Sequence, residues 1–418
     1  MVFSPCLRLF RRTMSGEKIY EGIFAVNKPQ GVSSADVIRK LQHHFNPSEL
    51  FKPWLDTERA RRQRESNFQR RRRRTQRLDV KIGHGGTLDP LATGVLVVGV
   101  GKGTKHLNDF LGCTKTYETV VLFGAETDTY DKLGKVVRRG PYEHITREAV
   151  EKALEQFRGK IMQRPPIFSA LKVQGKKLYE YAREGKEPPI EIKARPVEVT
   201  NMEILEWYEP GTHEYKWPQE EMADEEKTAA EKLLDKDAAI PVASSAEAEE
   251  AEHQKEPQIL PTKRKSSPGE DAVNDVDTAA AADTAQPVKR QKVSTQEDSA
   301  QVEDQAIASS QVQDGPQTSP KSSGDTVPSP SPPAVKITMT VSSGFYVRSL
   351  AHDLGKAVGS CGLMSSLIRS RQADYELGPG KVLEYEDLEA GEEIWGEKVR
   401  HFLEDWEKKR VAGLESKQ

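Results

Sequence analysis

The amino-acid sequence predicts an α/β (α+β) fold, because short apolar strands and amphipathic helices occur in the same parts of the chain. The strand pattern is clearest from Val335 to Val341, where apolar residues alternate with lysine and threonine. The helix pattern is clearest from Ile145 to Arg158, with Thr146 as N-cap and Gly159 as the stop. Only 36% of the 418 residues are hydrophobic and 30% are charged, so we expect long segments outside the folded core.

Residues 1–19 have the composition of a mitochondrial targeting segment. Three arginines lie among phenylalanine, leucine and serine, and no acidic residue precedes position 17. A frayed terminus with chance arginines is the alternative. Met14 would act as a second start that removes most of the segment, so we expect one gene to supply two compartments.

The first part of the predicted catalytic core covers residues 20–208. It begins with a strand from Glu21 to Asn27, which ends at the turn Lys28-Pro29-Gln30-Gly31. Ser33 and Ser34 then offer N-cap oxygens to a helix whose apolar residues lie on one face through Leu41.

A basic insertion, residues 47–80, interrupts this core, and no strand or helix pattern is visible in it. It contains Arg59, Arg61, Arg62 and Arg64 and the unbroken run Arg70 to Arg74. Adjacent guanidinium groups repel one another unless a polyanion neutralises them, so we expect contact with an RNA backbone. A solvated loop and a nuclear import signal are the alternatives.

Five further elements are predicted in the first part of the core. They are a helix from Thr104 to Leu111, a strand from Lys115 to Phe123, the helix from Ile145, a helix from Lys176 to Ala182 and a strand from Arg195 to Trp207.

Residues 209–333 are predicted to be a disordered acidic insertion. They are rich in alanine, glutamate, serine, proline and aspartate, and have almost no aromatic residue past Trp217, so they cannot bury enough apolar surface to fold. We interpret the flanking strands as a β-hairpin whose loop has grown, because loop-closure entropy rises slowly with length. The basic clusters Lys263–Lys265 and Lys289–Lys292 suit a nuclear import receptor, with scattered solvating charge as the alternative.

The second part of the core covers residues 334–380, and residues 381–418 form a helical tail. Ser343 to Arg348 opens a helix that continues through Ala357. Trp395, Phe402, Leu403 and Trp406 indicate a packed helix in the tail.

The stretch from Lys81 to Lys105 holds the most informative chemistry. It places Asp89 between a glycine-rich turn and a proline, in a loop that also presents His84 and Thr87, before a short apolar strand from Val95 to Val100. A carboxylate there can act as a nucleophile or a proton acceptor, although an aspartate before proline is often only a turn residue.

Several other classes of site are excluded by spacing. The glycines from Gly99 to Gly103 match neither a P-loop nor a dinucleotide fingerprint, and no histidine spacing fits a metal site. The three cysteines are far apart, and no apolar run near the central loop is long enough to cross a bilayer. We expect a protein without metal, disulfide framework or membrane span.

The run G-H-G-G-T-L-D-P-L-A-T-G-V-L, residues 83–96, resembles the catalytic motif of the TruB family of pseudouridine synthases. Further matches follow in the family's order: Lys28 to Gly31, Lys115 to Tyr117, Ser169 to Lys172 with Gly175 to Tyr179, and Gly344 to Arg348. The matches cover about residues 20–208 and 334–375, and they are most similar to the fungal enzymes that modify uridine 55 of tRNA.

This resemblance implies the pseudouridine synthase catalytic fold, with a mixed, mainly antiparallel central sheet flanked by helices. It also implies a reaction without cofactor, in which the T-loop uridine of tRNA is flipped out and isomerised; some mRNA uridines are further candidates. Asp89 matches the essential aspartate, Tyr117 the tyrosine that stacks on the uracil, and Arg348 the arginine that pairs with the aspartate. An opposite charge at contact distance would favour the ionised carboxylate.

The remaining candidate residues are expected to bind the RNA. His84 matches the residue that fills space around the flipped nucleotide, and Tyr346 is suited to stacking. Lys28, Lys172, Lys176 and Arg371 would meet phosphates. Thr87 lies in the same loop as His84 and Asp89.

The sequence departs from the family pattern at two points. Gly85 replaces the threonine that commonly follows the histidine, and no PUA domain is recognisable after the core. We therefore expect the basic block from Arg59 to Arg77 to grip the RNA. We also expect a monomeric protein that acts in the nucleus and the mitochondrion, with the cytoplasm as a further compartment. An RNA chaperone or scaffold without turnover and a guide-dependent catalytic subunit are the alternative functions.

Overall fold

The computed structural model describes residues 16–72, 76–184, 186–224, 226–227, 230–231 and 331–415. Most of the targeting segment 1–19, the clusters Lys263–Lys265 and Lys289–Lys292, and most of 209–333 lie outside the described residues. The expectations for these segments therefore stay predictions. Among the described helices, none combines the length and apolar character needed to cross a bilayer.

The elements with both ends among the described residues include fourteen strands and eight α-helices. The strands are β1 (Gly22–Lys28), β2 (Ile82–His84), β3 (Thr93–Val100), β4 (Lys115–Phe123), β5 (Ala125–Thr127), β6 (Val136–Arg139), β7 (Gly159–Gln163), β8 (Lys172–Val173), β9 (Lys176–Lys177), β10 (Arg195–Tyr208), β11 (Ala334–Val341), β12 (Gly362–Gln372), β13 (Tyr375–Glu376) and β14 (Leu383–Glu384). The helices are α1 (Ser34–Phe45), α2 (Lys52–Gln63), α3 (Asn67–Arg72), α4 (Leu107–Leu111), α5 (Arg147–Leu154), α6 (Leu178–Arg183), α7 (Val347–Ala357) and α8 (Glu392–Glu415).

Ten of the strands form one sheet in the order β14-β1-β3-β12-β4-β11-β10-β7, with β2 added to β3 and β13 to β12. Within this sheet the pairs β1–β14 and β3–β12 are parallel, and the other pairs are antiparallel. The predicted mixed, mainly antiparallel sheet flanked by helices is confirmed.

Strand β3 is buried on both faces and supports the loop that precedes it. Leu96 and Val98 lie in the main core with Leu41 of α1. Val95 and Val97 face a second apolar cluster on the other side of the sheet. Burial on both faces explains why this strand reads as a continuous apolar run in the sequence.

The predicted hairpin between the strands that flank the long insertion is confirmed. β10 and β11 pair antiparallel from Val199 opposite Val341 to Tyr208 opposite Ala334, with two register shifts. The residues that enter and leave the insertion are therefore neighbours in the sheet.

Residues 209–222, the first part of the predicted insertion, lie against the core instead of being disordered. Trp217 Nε1 donates to the Phe123 carbonyl at 2.7 Å, and the Met222 amide donates to the Val136 carbonyl at 3.0 Å. Tyr215 and Trp217 also pack on a buried apolar cluster that contains Leu122. These aromatic residues supply the apolar area that the rest of the insertion's composition lacks.

The basic insertion 47–80 also differs from the expectation, because it contains α2 and α3. Phe51, Trp54 and Leu55 are buried in the main core, and Trp54 Nε1 donates to Glu21 Oε1 at 2.9 Å. The abundant arginines conceal this apolar face in the sequence.

Strand β12 lies in the middle of the sheet and was not predicted. Its polar residues Ser365, Arg369 and Gln372 are fully buried, so the strand shows neither clean alternation nor a continuous apolar run. Two of these polar residues prove to hold the Asp89 loop.

Candidate active site

The Asp89 loop joins β2 to β3 and is held by the start of α1. Ser34 Oγ accepts from the Leu88 amide at 2.8 Å and donates to the Leu88 carbonyl at 3.0 Å. The Gly31 amide donates to the Pro90 carbonyl at 2.8 Å. Ser33 and Asp36 form a capping box at the same helix end, so the predicted N-cap is confirmed. The loop is thus fixed on both sides of Asp89.

Arg348 makes a two-point ion pair with Asp89. Arg348 Nε donates to Asp89 Oδ2 at 2.8 Å, and Nη2 donates to Asp89 Oδ1 at 3.3 Å. The Arg348 side chain is 7% exposed, whereas that of Asp89 is 34% exposed. The guanidinium is therefore buried behind a carboxylate that solvent and substrate can reach.

Two backbone carbonyls hold the guanidinium of Arg348 in place. Nη1 donates to the Thr129 carbonyl at 3.0 Å, and Nη2 donates to the Phe168 carbonyl at 2.8 Å. Such a planar fork suits simultaneous contact with several acceptors, which a lysine ammonium would not reproduce. The arginine has little freedom to leave Asp89.

Asp131 is a second carboxylate near Arg348, and sequence reasoning assigned it no role. Its Oδ2 lies 3.9 Å from Arg348 Nε, and its Oδ1 accepts from Thr129 Oγ1 and from the Leu133 amide. Burial raises the pKa of Asp131, and the charge of Arg348 opposes this shift. The cluster is thus one arginine between an accessible and a buried carboxylate.

The register of the sheet places Tyr117 close to the loop. Gly94 of β3 is paired with Lys28 of β1 and with Arg369 of β12, and Arg369 is paired with Tyr117 of β4. Neighbouring strands lie about 4.8 Å apart, so Tyr117 is two strands from the end of the Asp89 loop. Tyr117 is 8% exposed.

Arg369 and Gln372 hold the glycines before Asp89. Arg369 Nε donates to the Val95 carbonyl at 2.7 Å and Nη2 to the Gly86 carbonyl at 3.3 Å. Gln372 Nε2 donates to the Gly85 and Phe110 carbonyls. Both residues belong to β12, which the sequence did not predict. Their burial identifies their role, and it is visible only in the structure.

The structure gives a reason for the unusual glycine at position 85. A Cβ atom there would lie 2.8 Å from Cβ of Phe110 and 3.4 Å from the Leu107 carbonyl. The side chains of α4 therefore occupy the space that a threonine would need.

Lys28 does not contact solvent, so its predicted phosphate contact is wrong. Its side chain is fully buried, and Nζ donates to the carbonyls of Pro29, Val32 and Pro90. Burial lowers the pKa of Lys28 to about 8, although the nearby charge of Asp89 opposes the shift. The ammonium stands behind the Asp89 loop and supports it.

His84 and Thr87 flank the loop differently. His84 ends β2 and is partly buried; burial lowers its pKa, and the charge of Arg369 adds to the effect. The neutral ring is therefore favoured at neutral pH. Thr87 is exposed between His84 and Asp89.

Lys172 and Lys176 lie on the small hairpin formed by β8 and β9. Its turn residues Gln174 and Gly175 both have positive φ angles, as tight hairpin turns require. Lys172 is exposed, whereas Lys176 pairs with Glu184 and lies 4.6 Å from the ring centre of Tyr181. The charge of Lys177, on the same hairpin, also acts to lower the pKa of His84, less than burial and Arg369 do.

Tyr346 and Arg371 lie at the ends of α7 and β12, and both are partly exposed. Tyr346 is the N-cap position of the helix that carries Arg348. Arg371 Nε donates to Thr116 Oγ1 at 3.1 Å, next to Tyr117 in β4. Tyr346 is two residues from Arg348, and Arg371 contacts the residue before Tyr117. Their contacts with RNA stay predictions.

The arrangement offers one reachable carboxylate on a stiff loop, backed by a buried guanidinium. Among the described residues, no group of three histidine, cysteine or acidic side chains is placed to hold a metal ion. The chemistry that these side chains offer is nucleophilic attack or proton transfer by Asp89.

Comparison with known proteins gives matches to a family model, to whole proteins and to a solved structure. Residues 71–218 match a family model described as the TruB family pseudouridylate synthase, N-terminal domain. The tRNA pseudouridine synthase 4 of Schizosaccharomyces pombe is 38% identical over 90% of this chain and 84% of its own length. The Saccharomyces cerevisiae protein of the same name is 30% identical over 92% of this chain and 85% of its own length. A solved Cbf5–Nop10–Gar1 complex aligns with 96% of this chain and 64% of its own chain, at 16% identity and a TM-score of 0.43.

Proposed function

Because the chain belongs to the TruB family of pseudouridylate synthases, we propose that it isomerises uridine to pseudouridine in tRNA. The proposed substrate is the uridine at position 55, in the T-loop. The relatives that match most of the chain are named as tRNA enzymes, which supports tRNA as the substrate.

The observation that carries the proposal is the pair formed by Asp89 and Arg348. The carboxylate is accessible while its partner is buried and held by the Thr129 and Phe168 carbonyls. A side chain fixed in this way reacts from one position and needs little reorganisation at the moment of reaction.

In the proposed reaction the N1–C1′ bond breaks, the uracil turns, and a C5–C1′ bond forms. The C5 proton is removed and N1 gains a proton, so atoms and electrons balance without a cofactor. Asp89 acts on the sugar or the base, as nucleophile or as base. Tyr117 stacks on the uracil and assists removal of the C5 proton.

The target base must leave the T-loop before Asp89 reaches it. Flipping costs about a few kcal/mol, which stacking and edge hydrogen bonds in the pocket offset. We assign this role to His84 and Tyr346, next to the exposed Thr87. Lys172, Lys176 and Arg371 contact phosphates at the rim, which adds affinity without reading bases.

The test is to incubate the purified protein with an unmodified tRNA transcript and map pseudouridine. We expect product at position 55 with the wild type and none with Asp89→Asn. Asp109→Asn is a matched control, because Asp109 is an exposed aspartate on α4. Product that requires an added guide RNA would support the guide-dependent alternative. RNA binding without product would support the scaffold alternative.

We also propose that the protein acts in the nucleus and the mitochondrion. The arginine-rich residues 1–19 and the clusters Lys263–Lys265 and Lys289–Lys292 support this proposal by composition alone. Fluorescent fusions begun at Met1 and at Met14 should differ in mitochondrial signal, and identical distributions would contradict it.

A further inference from the structure

The helices α2 and α3 form a folded projection whose inner side is fixed to the core. Phe51, Trp54 and Leu55 are buried there, and Arg62 donates to the carbonyls of Gln76 and Arg77. The outward side of this projection is therefore presented in a defined place. We call the surface formed by Phe68, Arg70 and Arg71 the α3 surface.

The arginines of α2 and α3 differ in how their charge is balanced. On α2, Arg59 pairs with Asp56, and Arg61 pairs with Glu58. From Ser66 to Arg77 the sequence has six arginines and no acidic residue. Arg70 and Arg71 are exposed. The unbalanced positive charge of the projection is thus concentrated on and after α3, where a polyanion would neutralise it.

Phe68 adds an aromatic ring to this charge. Its side chain is 77% exposed, which is the highest value among the exposed large hydrophobic residues that the structure describes. An aromatic ring beside arginines matches single-stranded nucleic-acid surfaces, where bases stack on rings and phosphates meet guanidinium groups. A signal for an import receptor would need the charges but not the ring.

Helix α1 connects the candidate active site with the base of the projection. Its first residue, Ser34, binds Leu88 of the Asp89 loop. Just after its last turn, Asn46 binds Asp79 and the amide of Val80, which lead back from the projection. Twelve helical residues span about 18 Å, or about five steps of a nucleic-acid helix at 3.4 Å each, so the base of the projection stands about that far from the Asp89 loop.

We propose that the α3 surface binds the tRNA beyond the T-arm whose uridine enters the candidate active site. Arg70 and Arg71 contact backbone phosphates, and Phe68 packs on a base or ribose beyond the end of the T-stem. This inference rests on the proposed function, since it takes the tRNA as the molecule in the site. It replaces the looser expectation that the whole block from Arg59 to Arg77 grips RNA.

The test compares two RNAs with full-length protein. One is the complete unmodified tRNA transcript, and the other is its isolated T-arm stem-loop, which lacks the part of the tRNA that the α3 surface is proposed to bind. Arg70→Glu with Arg71→Glu should weaken binding of the complete tRNA roughly tenfold and flatten its salt dependence by about one unit per lost phosphate contact. Binding and turnover of the stem-loop should stay within about twofold of the wild type. Phe68→Ala should weaken binding of the complete tRNA and leave binding of the stem-loop unchanged.

The charge-matched control is Arg147→Glu with Lys152→Glu, two exposed positions on α5, which packs against β10 and α7. This control should leave both RNAs unaffected. Equal losses on both RNAs, or no loss on either, would overturn the proposal. So would unchanged RNA binding with loss of nuclear accumulation, which would identify an import signal. Binding is measured as well as turnover. A wild type without product would refute the proposed function, and the measured affinities would still test whether the α3 surface binds tRNA.

Discussion

Gln163 and Tyr346 exchange two hydrogen bonds across the domain. The Tyr346 amide donates to Gln163 Oε1 at 2.7 Å, and Gln163 Nε2 donates to the Tyr346 carbonyl at 3.0 Å. Gln163 ends the edge strand β7, and Tyr346 is the N-cap position of α7. The pair thus fixes the start of the helix that carries Arg348 two residues later.

Replacing Gln163 by glutamate removes the donor and puts a carboxylate against the Tyr346 carbonyl. We expect Gln163→Glu to lower the free energy of unfolding by about 1–3 kcal/mol at pH 7, because the group is buried. We also expect a lower kcat, since Arg348 loses its support. Denaturant unfolding and single-turnover kinetics measure the two effects. Gln156→Glu, an exposed position, is the control, and equal behaviour of the two variants would contradict the prediction.

Arg348→Lys keeps the positive charge but loses the fork that binds Asp89 and two carbonyls at once. We expect kcat to fall about a hundredfold, because small misplacements of a reacting group carry costs of that size. The Kd for tRNA should change little. Arg158→Lys is the control, since Arg158 also contacts a carbonyl and a carboxylate but lies at β7. A kcat near that of the wild type would show that the geometry of the pair is unimportant.

Gly94 lies where β3 approaches the backbone of β12. Its φ is +102°, and an added Cβ would lie 2.3 Å from the Arg369 carbonyl oxygen. We expect Gly94→Ala to destabilise the protein by about 3 kcal/mol or more. Two causes contribute at Gly94, the positive φ and the clash of the added Cβ with β12. Gly31→Ala tests the first cause alone, because Gly31 has a φ of +82° but open space around it. It should cost about 1 kcal/mol. Thermal unfolding of both variants gives the comparison.

Lys28 should make stability depend on pH in the alkaline range. Burial lowers the pKa of Lys28 to about 8, whereas the unfolded chain keeps its ordinary value of 10.5. Between these values the unfolded state binds more protons, so the contribution of Lys28 to stability rises with pH from 8 to 10.5 and is lost as pH falls through 8. We expect the unfolding free energy of the wild type, relative to that of Lys28→Met, to rise with pH by at most about 1.4 kcal/mol per pH unit. A difference that is constant from pH 7.5 to 9.5 would refute this.

N-cap residues and the spacing of apolar residues predicted several helices and strands correctly. Ser33 begins α1 because its oxygen binds the Asp36 amide, and Thr146 begins α5 in the same way. β4 was predicted with its observed ends, and β11 within one residue, because their apolar residues follow strand spacing. The C-terminal helix was predicted from its large apolar residues, and Trp395 is buried in the main core.

Elements whose pattern depends on distant partners could not be predicted. Arg369 and Gln372 are buried because Gly86, Val95 and Gly85 offer carbonyls to them, and nothing near them in sequence shows this. Lys28 resembled a phosphate ligand because a lysine beside a turn is usually exposed. Asp131 received no role, since its neighbour Arg348 lies far along the chain.

From the pairing of β10 with β11 we expect that the protein can be divided at the insertion. Asp89 belongs to the stretch before Tyr208, Arg348 to the stretch after Ala334, and the sheet joins the two stretches whatever the covalent connection between them. Two separately produced polypeptides, one ending after Trp217 or Met222 and one beginning before Ala334, therefore carry complementary halves of one reactive centre. Neither half holds the ion pair alone, so recovered activity on mixing would measure their reassembly.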